Sequence, residues 1–312
     1  MKNKIINYLK KNKLTQNVLI ALRTFYFPAY LHVTKDFDFH VLDALESVKK
    51  IKHDKVSVSR FGDGEFNILY KAKGIGFQPY SSSLRNDLGK VFKNKDNDNL
   101  CIGVPQGFES TRVDRYRVKT FWWSYVVRER NYIKKFSYAT NNNLYLDTNF
   151  TRVITELSDK AQIKIVIDEI KEIWADKEVL VIEGAGTKFG VGNDLFSGAK
   201  KISRIVAPSK DAYSKIDEIR VTVKDFLEDK DSKEMVVLMA LGPTATVLAA
   251  EFSKYVQAID IGHFDLQYEY LMKGYYKKVD IKNKYDNELF NGDVFIENQD
   301  EQYNKQIIKE IN

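Results

Sequence analysis

The residues predict an α/β protein built on a doubly wound, mostly parallel sheet of about six strands, with a helical extension at the N-terminus. Three observations carry that expectation. From about residue 40 onward, short apolar segments alternate with helical ones. Several of the short segments are rich in Val, Ile and Leu with little polar alternation, as strands buried on both faces of a parallel sheet must be. Their carboxyl ends run into turns rich in glycine or acid, where open α/β sheets collect their ligands.

In chain order, residues 1–39 form a basic and aromatic extension, with lysines at 2, 4, 10, 11 and 13 ahead of an apolar stretch. Two readings stand for residues 1–34: a helix docked on the main body, or a basic amphipathic segment that touches anionic lipid at the inner face of the membrane. Val18 to Val33 is interrupted by Arg23 and Pro28 and is too short to span a bilayer. Lys55–Ser59, Leu100–Val104, Glu178–Ile182, Ile202–Val206, Met235–Ala240 and Ala258–Ile261 read as strands. Ala161–Ala175, Ala212–Leu227 and Thr244–Tyr255 read as the helices between them. Val113–Lys135, with Trp122, Trp123 and Tyr125, reads as a longer helix outside the repeat, and its aromatic cluster suits a core better than a sugar platform. No interdomain linker or repeat is visible, so residues 40–275 form one domain, and 276–312 are expected to be a polar, loosely packed tail.

At 312 residues the chain is long enough to bury a substantial core. Its formal charge of +6 and pI of about 8.9 suit a phosphate-bearing small molecule or an anionic surface. The excess is too dispersed for nucleic acid, which calls for a concentrated basic stripe. Cys101 is the one cysteine, so an internal disulfide and a thiolate metal cluster are both excluded. A reducing, cytoplasmic setting fits, and no secretory signal pattern is present. Asn149-Phe-Thr151 matches a glycosylation acceptor, which in that setting is a chance match.

Four turns carry the chemistry. Ser59-Arg-Phe-Gly-Asp-Gly-Glu65 follows the first strand. Asp63 and Glu65 there can meet one divalent cation, Mn²⁺ or Mg²⁺, and Arg60 can face the anion the cation holds. Equally by spacing, Asp63 can cap a helix whose first turn Glu65 stabilises. After Glu178–Ile182 comes Glu183-Gly-Ala-Gly-Thr-Lys-Phe-Gly-Val-Gly-Asn-Asp194, where Gly186 and its fellow glycines let amides approach a phosphate and Thr187 and Lys188 add a hydroxyl and a charge. The Walker spacing is absent, and the dinucleotide fingerprint fails because three residues separate Gly186 from Gly190. In Leu241-Gly-Pro-Thr-Ala-Thr246, Gly242 makes a tight turn and Thr244 either caps a helix or contacts phosphate. The last strand leads to His263, Asp265 and Glu269, the two acids sharing a helix face near the histidine.

Together with Gly190-Val-Gly-Asn-Asp-Leu-Phe196 and Tyr268-Glu269, these motifs resemble the GT-D family of bacterial glycosyltransferases over roughly residues 40–275. The resemblance implies a Rossmann-like fold, a UDP-sugar donor and an Asp-x-Glu metal motif at Asp63 and Glu65. It implies active-site roles for His263 and Glu269, with Asp265 beside them. On the donor side it leaves Arg60, Gly186, Thr187, Lys188, Asn193, Asp194, Gly242 and Thr244 as expected contacts. Where the family tends to show Ser-Arg-Pro-Tyr, this chain has Thr151-Arg-Val-Ile154, which leaves Arg152 as a phosphate contact. The expected activity is hexosyl transfer to a glycan, glycoprotein or lipid-linked acceptor. Two rivals are a nucleotide-dependent oxidoreductase using Gly184–Gly192 and a non-catalytic sugar-nucleotide-binding scaffold.

Overall fold

The computed structural model describes residues 13–93, 97–140, 144–286 and 300–312. One sheet holds β1 (Ser57–Arg60), β2 (Leu100–Val104), β3 (Leu146–Asp147), β4 (Glu178–Gly184), β5 (Lys201–Ala207), β6 (Met235–Ala240), β7 (Gln257–Asp260) and β8 (Ile307–Glu310). Its order is β3-β2-β1-β7-β6-β4-β5-β8, and every neighbouring pair is parallel. The first three strands build outward one way, and β4 to β8 occupy the other half. The halves meet where β1 lies beside β7, with Val58 opposite Ile259. That seam is the switch point at which such sheets open a crevice.

All six expected strands are present, two with the expected bounds and four with ends moved by one or two residues. The apolar runs behave as a two-sided sheet requires. Val179, Val181, Val236 and Leu238 point into one buried layer, and Leu180, Ile182, Val237 and Met239 into the other. Layers of helix cover both faces. Helix Ala44–His53 starts at a reciprocal capping box in which Asp43 and Glu46 each accept the other's backbone N–H. Helix Lys160–Lys171 buries Ile163, Val166, Ile167 and Ile170 at helical spacing and packs against it. Pro243 sits in the first turn of helix Pro243–Phe252, whose residues are nearly all buried and which packs over β1 and β7. The long aromatic helix runs Tyr116–Thr140, with Trp122, Trp123 and Tyr125 buried.

Two strands exceed the expected six. β3 is two residues long, too short to show a period. β8 lies in the segment expected to be a loose tail, which corrects that expectation. Ile281, Lys284, Tyr285, Asp286 and Tyr303 are buried, and β8 pairs with β5. The reason is Arg204 on β5, which is fully buried and ion-paired to Glu183 at 2.7 Å. Its Nε donates to Gln306 at 2.7 Å, and the Tyr303 ring lies 4.9 Å from the guanidinium. The C-terminal segment thus completes the hydrogen bonding of a buried ion pair, and it covers a strand edge. Among the described residues no helix is long and apolar enough to cross a membrane.

Asp114, just before the long helix, is buried and neither carboxyl oxygen has a hydrogen-bonding partner. Burial, then repulsion from Asp147 and Glu156, pushes its pKa up to about 9. The folded chain therefore keeps a proton that the unfolded chain loses near pH 4, and stability falls as pH rises between those values. Wild-type protein should melt lower at pH 8.5 than at pH 5.5. Asp114→Asn should recover about 2–4 °C at pH 8.5, the shift roughly 1 kcal/mol gives in a large domain. An equal pH slope in both proteins, measured by calorimetry, would show that Asp114 is not the group responsible.

Candidate active site

The site is anchored by Arg60, the last residue of β1. Its Nε donates to the Asp260 carbonyl at 2.9 Å, one terminal nitrogen donates to Thr151 Oγ1 at 2.9 Å, and the other meets Asp260 Oδ1 at 2.7 Å. Asp260 closes β7, and burial pushes its carboxyl up while Arg60 pulls it back. Thr246 donates to the Arg60 carbonyl at 3.0 Å and stands 3.3 Å from Asp260 Oδ2. Gly262 follows with φ +51°, and a Cβ there would lie 2.2 Å from the Arg60 guanidinium. Only glycine leaves room for the arginine.

The turn after β1 holds Asp63 and Glu65 at the start of a helix. Helix Asp63–Lys71 begins at Asp63, with Gly62 as its extended N-cap. Glu65 Oε2 accepts the Gly62 N–H at 2.8 Å, the return half of a capping box. Burial is the largest cause raising Glu65 to about 7, with Asp260 adding repulsion against the pull of the Gly62 amide and Arg60. Asp63, at the first helical position, is exposed. Capping and ligand binding are compatible, because both acids line one cleft.

That cleft holds about 1020 Å³ above the carboxyl ends of the strands. Arg115, Arg117, Arg152, Lys277 and Lys278 give it a basic flank. Arg115 is fixed by donating to the Leu157 carbonyl at 2.8 Å and to the Tyr276 carbonyl. Arg152 pairs with Glu156 at 3.2 Å. Phe77, Phe121, Trp122 and Leu241 supply apolar wall. At Gly242, with φ +55°, a Cβ would come within 2.5 Å of the Phe77 ring, so this glycine lets the ring close over the turn.

Of the residues singled out in the sequence, Arg60, Asp63, Glu65, Arg152, Thr187, Gly242 and His263 line this cleft. Burial, then repulsion from Arg152, holds His263 well below its usual pKa, so the ring is neutral at pH 7. Gly186, Lys188, Asn193, Asp194, Thr244, Asp265 and Glu269 lie outside the residues that line the cleft. Several amides of the loop after β4 are already engaged within the protein. Phe189 N–H donates to Glu183 at 2.7 Å, Gly190 N–H to Asp265 at 2.7 Å, and Thr187 N–H to the Gly184 carbonyl at 2.9 Å. The Gly186 carbonyl accepts from Tyr285 N–H at 2.8 Å.

Lys188 is buried, and burial followed by repulsion from Lys284 lowers its pKa. Asp265 receives Lys284 at 2.7 Å, and Glu269 receives Asn193 at 2.8 Å and Lys284 at 3.1 Å. Burial alone would raise Glu269, but Lys284, Asn193 and Lys273 outweigh it and hold the carboxylate charged. Both acids therefore pin the loop. Asp194 is held by Tyr268 at 2.5 Å and Lys171 at 3.3 Å. Thr244 is buried 3.4 Å from Gln78 Oε1. Among the described residues no three His, Cys, Asp or Glu side chains gather as a metal cage. Asp260, Arg115, Arg117, Lys277 and Lys278 were missed in the sequence. Asp260 stood inside a quoted strand end, whereas the basic residues follow no spacing rule.

A profile of the GT-D glycosyltransferase fold matches residues 58–289. The chain belongs to the GT-D glycosyltransferase family. The match runs past the expected boundary at 275 and takes in Lys277, Lys278 and Lys284 of the GT-D chain. It is 32% identical to a probable glycosyl transferase Gly of Streptococcus gordonii over 275 residues, which is 87% of this chain and 39% of that protein. It is 31% identical to the glycosyltransferase GlyD of Streptococcus pneumoniae serotype 4, over 89% of this chain and 34% of that protein. The chain thus spans well under half the length of these relatives. A solved domain of unknown function 1792, described as having a distinct glycosyltransferase fold, superposes with a TM-score of 0.80 at 33% identity, covering 92% of this chain and all of that one. A new glycosyltransferase of the same domain class from Streptococcus sanguinis gives a TM-score of 0.78 at 29% identity, covering 88% and 100%.

The Arg60–Asp260 pair should carry measurable stability. Asp260→Asn, which keeps the shape, should cost about 3 kcal/mol in urea unfolding, as expected for a broken buried pair. Gly262→Ala should cost a similar amount by displacing the guanidinium. Unchanged midpoints in both variants would mean that the pair does not hold β1 to β7.

Proposed function

We propose that this GT-D chain transfers a hexosyl group from a UDP-sugar to a glycan, glycoprotein or lipid-linked acceptor on the cytoplasmic side. One observation carries the reading: two carboxylates, Asp63 and Glu65, and a basic flank of Arg117, Arg152, Lys277 and Lys278 line the same cleft at the switch point of the sheet. That is the charge pattern a metal-bound diphosphate needs. The names of the relatives as glycosyltransferases support the reaction class.

The acid pair fits Mn²⁺ or Mg²⁺ in the way these ions usually bind, through one or two carboxylates completed by substrate phosphates. Glu65 keeps one oxygen for Gly62, which leaves the second for a ligand. A bound cation would supply neutralisation of the charge on the departing diphosphate. The chain's own residues do the rest. Arg152 and the lysines at 277 and 278 counter the remaining phosphate charge. Phe77, Phe121 and Trp122 keep water away from the donor sugar. His263, neutral and on the cleft, can accept a hydrogen bond from the acceptor hydroxyl. Asp265 and Glu269 act at one remove, by fixing the Gly190–Asn193 loop. The engaged amides of that loop count against the oxidoreductase alternative.

Incubation with a panel of UDP-sugars and Mn²⁺ should yield UDP, and EDTA should suppress it. Asp63→Asn and Glu65→Gln should each lower turnover roughly 100-fold, in the range one lost charge-stabilising group costs. Glutamine still serves the capping box, so the second variant should keep its melting temperature. Full metal-dependent turnover in both variants, or no donor consumed at all, would sink the proposal.

A further inference from the structure

Helix Lys13–Thr24 is mounted with its apolar side outward. Leu14, Val18, Leu22 and Phe25 fall on one helical stripe and are exposed, Leu14 at 71% and Phe25 at 81%. Phe27 and Leu31 on the following helix, Phe27–Val33, extend the apolar surface. The side facing helix Tyr116–Thr140 includes polar contacts: Arg23 lies 5.5 Å over the Phe121 ring, and Thr24 Oγ1 is 2.9 Å from Tyr116 Oη. A helix that merely packed on a core would show the reverse arrangement.

Charge selects the occupant of this surface. In the sequence seven basic residues and no acidic one precede Asp36; of these, Arg23 and Lys35 have described side chains. Arg117 and Arg128 sit close enough to Arg23 to depress its pKa by repulsion, after burial. A second copy of the chain would place the same basic patch against itself, as a two-fold interface does. An anionic lipid surface answers both features, taking the apolar stripe into its interface and the arginines and lysines at its headgroups.

We propose that the outward face of residues 14–31, flanked by Arg23, Arg117 and Arg128, docks on an anionic lipid bilayer. Phe121, which Arg23 covers, also lines the cleft, so docking holds the cleft mouth near the membrane. The consequence, that the acceptor is lipid-linked, rests on the transfer reading above; the docking itself does not.

Flotation of the full chain with phosphatidylglycerol/phosphatidylcholine vesicles and with phosphatidylcholine alone provides the test. Wild type should float with the anionic vesicles and stay behind with the zwitterionic ones. The doubly substituted Leu22→Glu/Phe25→Glu protein should lose at least about tenfold in partition while keeping its melting temperature and donor hydrolysis, since both side chains point to solvent. Arg128→Glu should weaken binding to anionic vesicles as well. Absence of wild-type flotation, or equal flotation by the double variant, overturns the proposal. So does a concentration-dependent dimer, without vesicle binding, that the double variant disperses; that result gives the face to a second copy. Vesicle binding without turnover of any donor would leave the docking standing and remove the transfer reading instead.

Discussion

The ion pair between Arg60 and Asp260 is the constraint on which the site depends. It joins the carboxyl ends of β1 and β7, the two strands that meet at the seam of the sheet, with side chains only 16% and 2% exposed. A buried pair of this kind is tolerable only when its remaining donors and acceptors are satisfied. Here they are. Thr151 and the Asp260 carbonyl take the other guanidinium nitrogens, and Thr246 reaches both the Arg60 carbonyl and the free side of Asp260. Four elements are locked by one charge pair: β1, β7, the helix from Pro243 and the turn after β3. The Gly62–Glu65 turn and His263 therefore leave the sheet from fixed points.

Charge is distributed unevenly about that anchor. Asp63 and Glu65 begin a helix, where the N-terminal dipole favours carboxylates. The basic groups come from elements far apart in the chain, Arg115 and Arg117 before and within the long helix, Arg152 after β3, and Lys277 and Lys278 beyond the last long helix. Opposed acids and bases around one space would collapse into simple salt bridges if the side chains were free to move. Several are not free, because Glu65 is tied to Gly62 and Arg115 to two carbonyls. The loop after β4, which looks like a phosphate cradle by composition, contributes to this rigidity. Glu183, Asp265 and the Tyr285 amide tie it to the sheet, to the helix after β7 and to the C-terminal segment.

The parallel core was legible in the sequence because burial on both faces leaves a plain signature, a run of Val, Ile and Leu such as Val179–Ile182. β3 and β8 were not, since two residues show no period and Ile307–Glu310 is half polar. In the site, Asp63 and Glu65 could be found because both stand on one local turn. Asp265 and Glu269 show where local spacing ends. Their separation does put them on one helix face, but only the tertiary fold reveals that this face meets Gly190, Asn193 and Lys284. The basic flank was illegible for the same reason, as its members share no segment.

The remaining strain in the molecule points to the same place. Buried polar atoms lacking a protein partner among the described residues belong to Gln106, Asp114, Trp122, Tyr125, Asp147 and Asn149. Each such atom costs on the order of 1–3 kcal/mol. They would be expected to scatter if they were packing accidents. Instead they lie between β2 and the long helix, on β3 and the turn after it, and on the long helix that forms a wall of the cleft, and Trp122 and Asn149 line it directly. Well-packed layers elsewhere, such as those around β4 and β6, contain none. Sequences break their own local rules chiefly where function requires it. The side of the cleft away from the glycine loop is thus the part of this fold whose residues are least explained by stability alone.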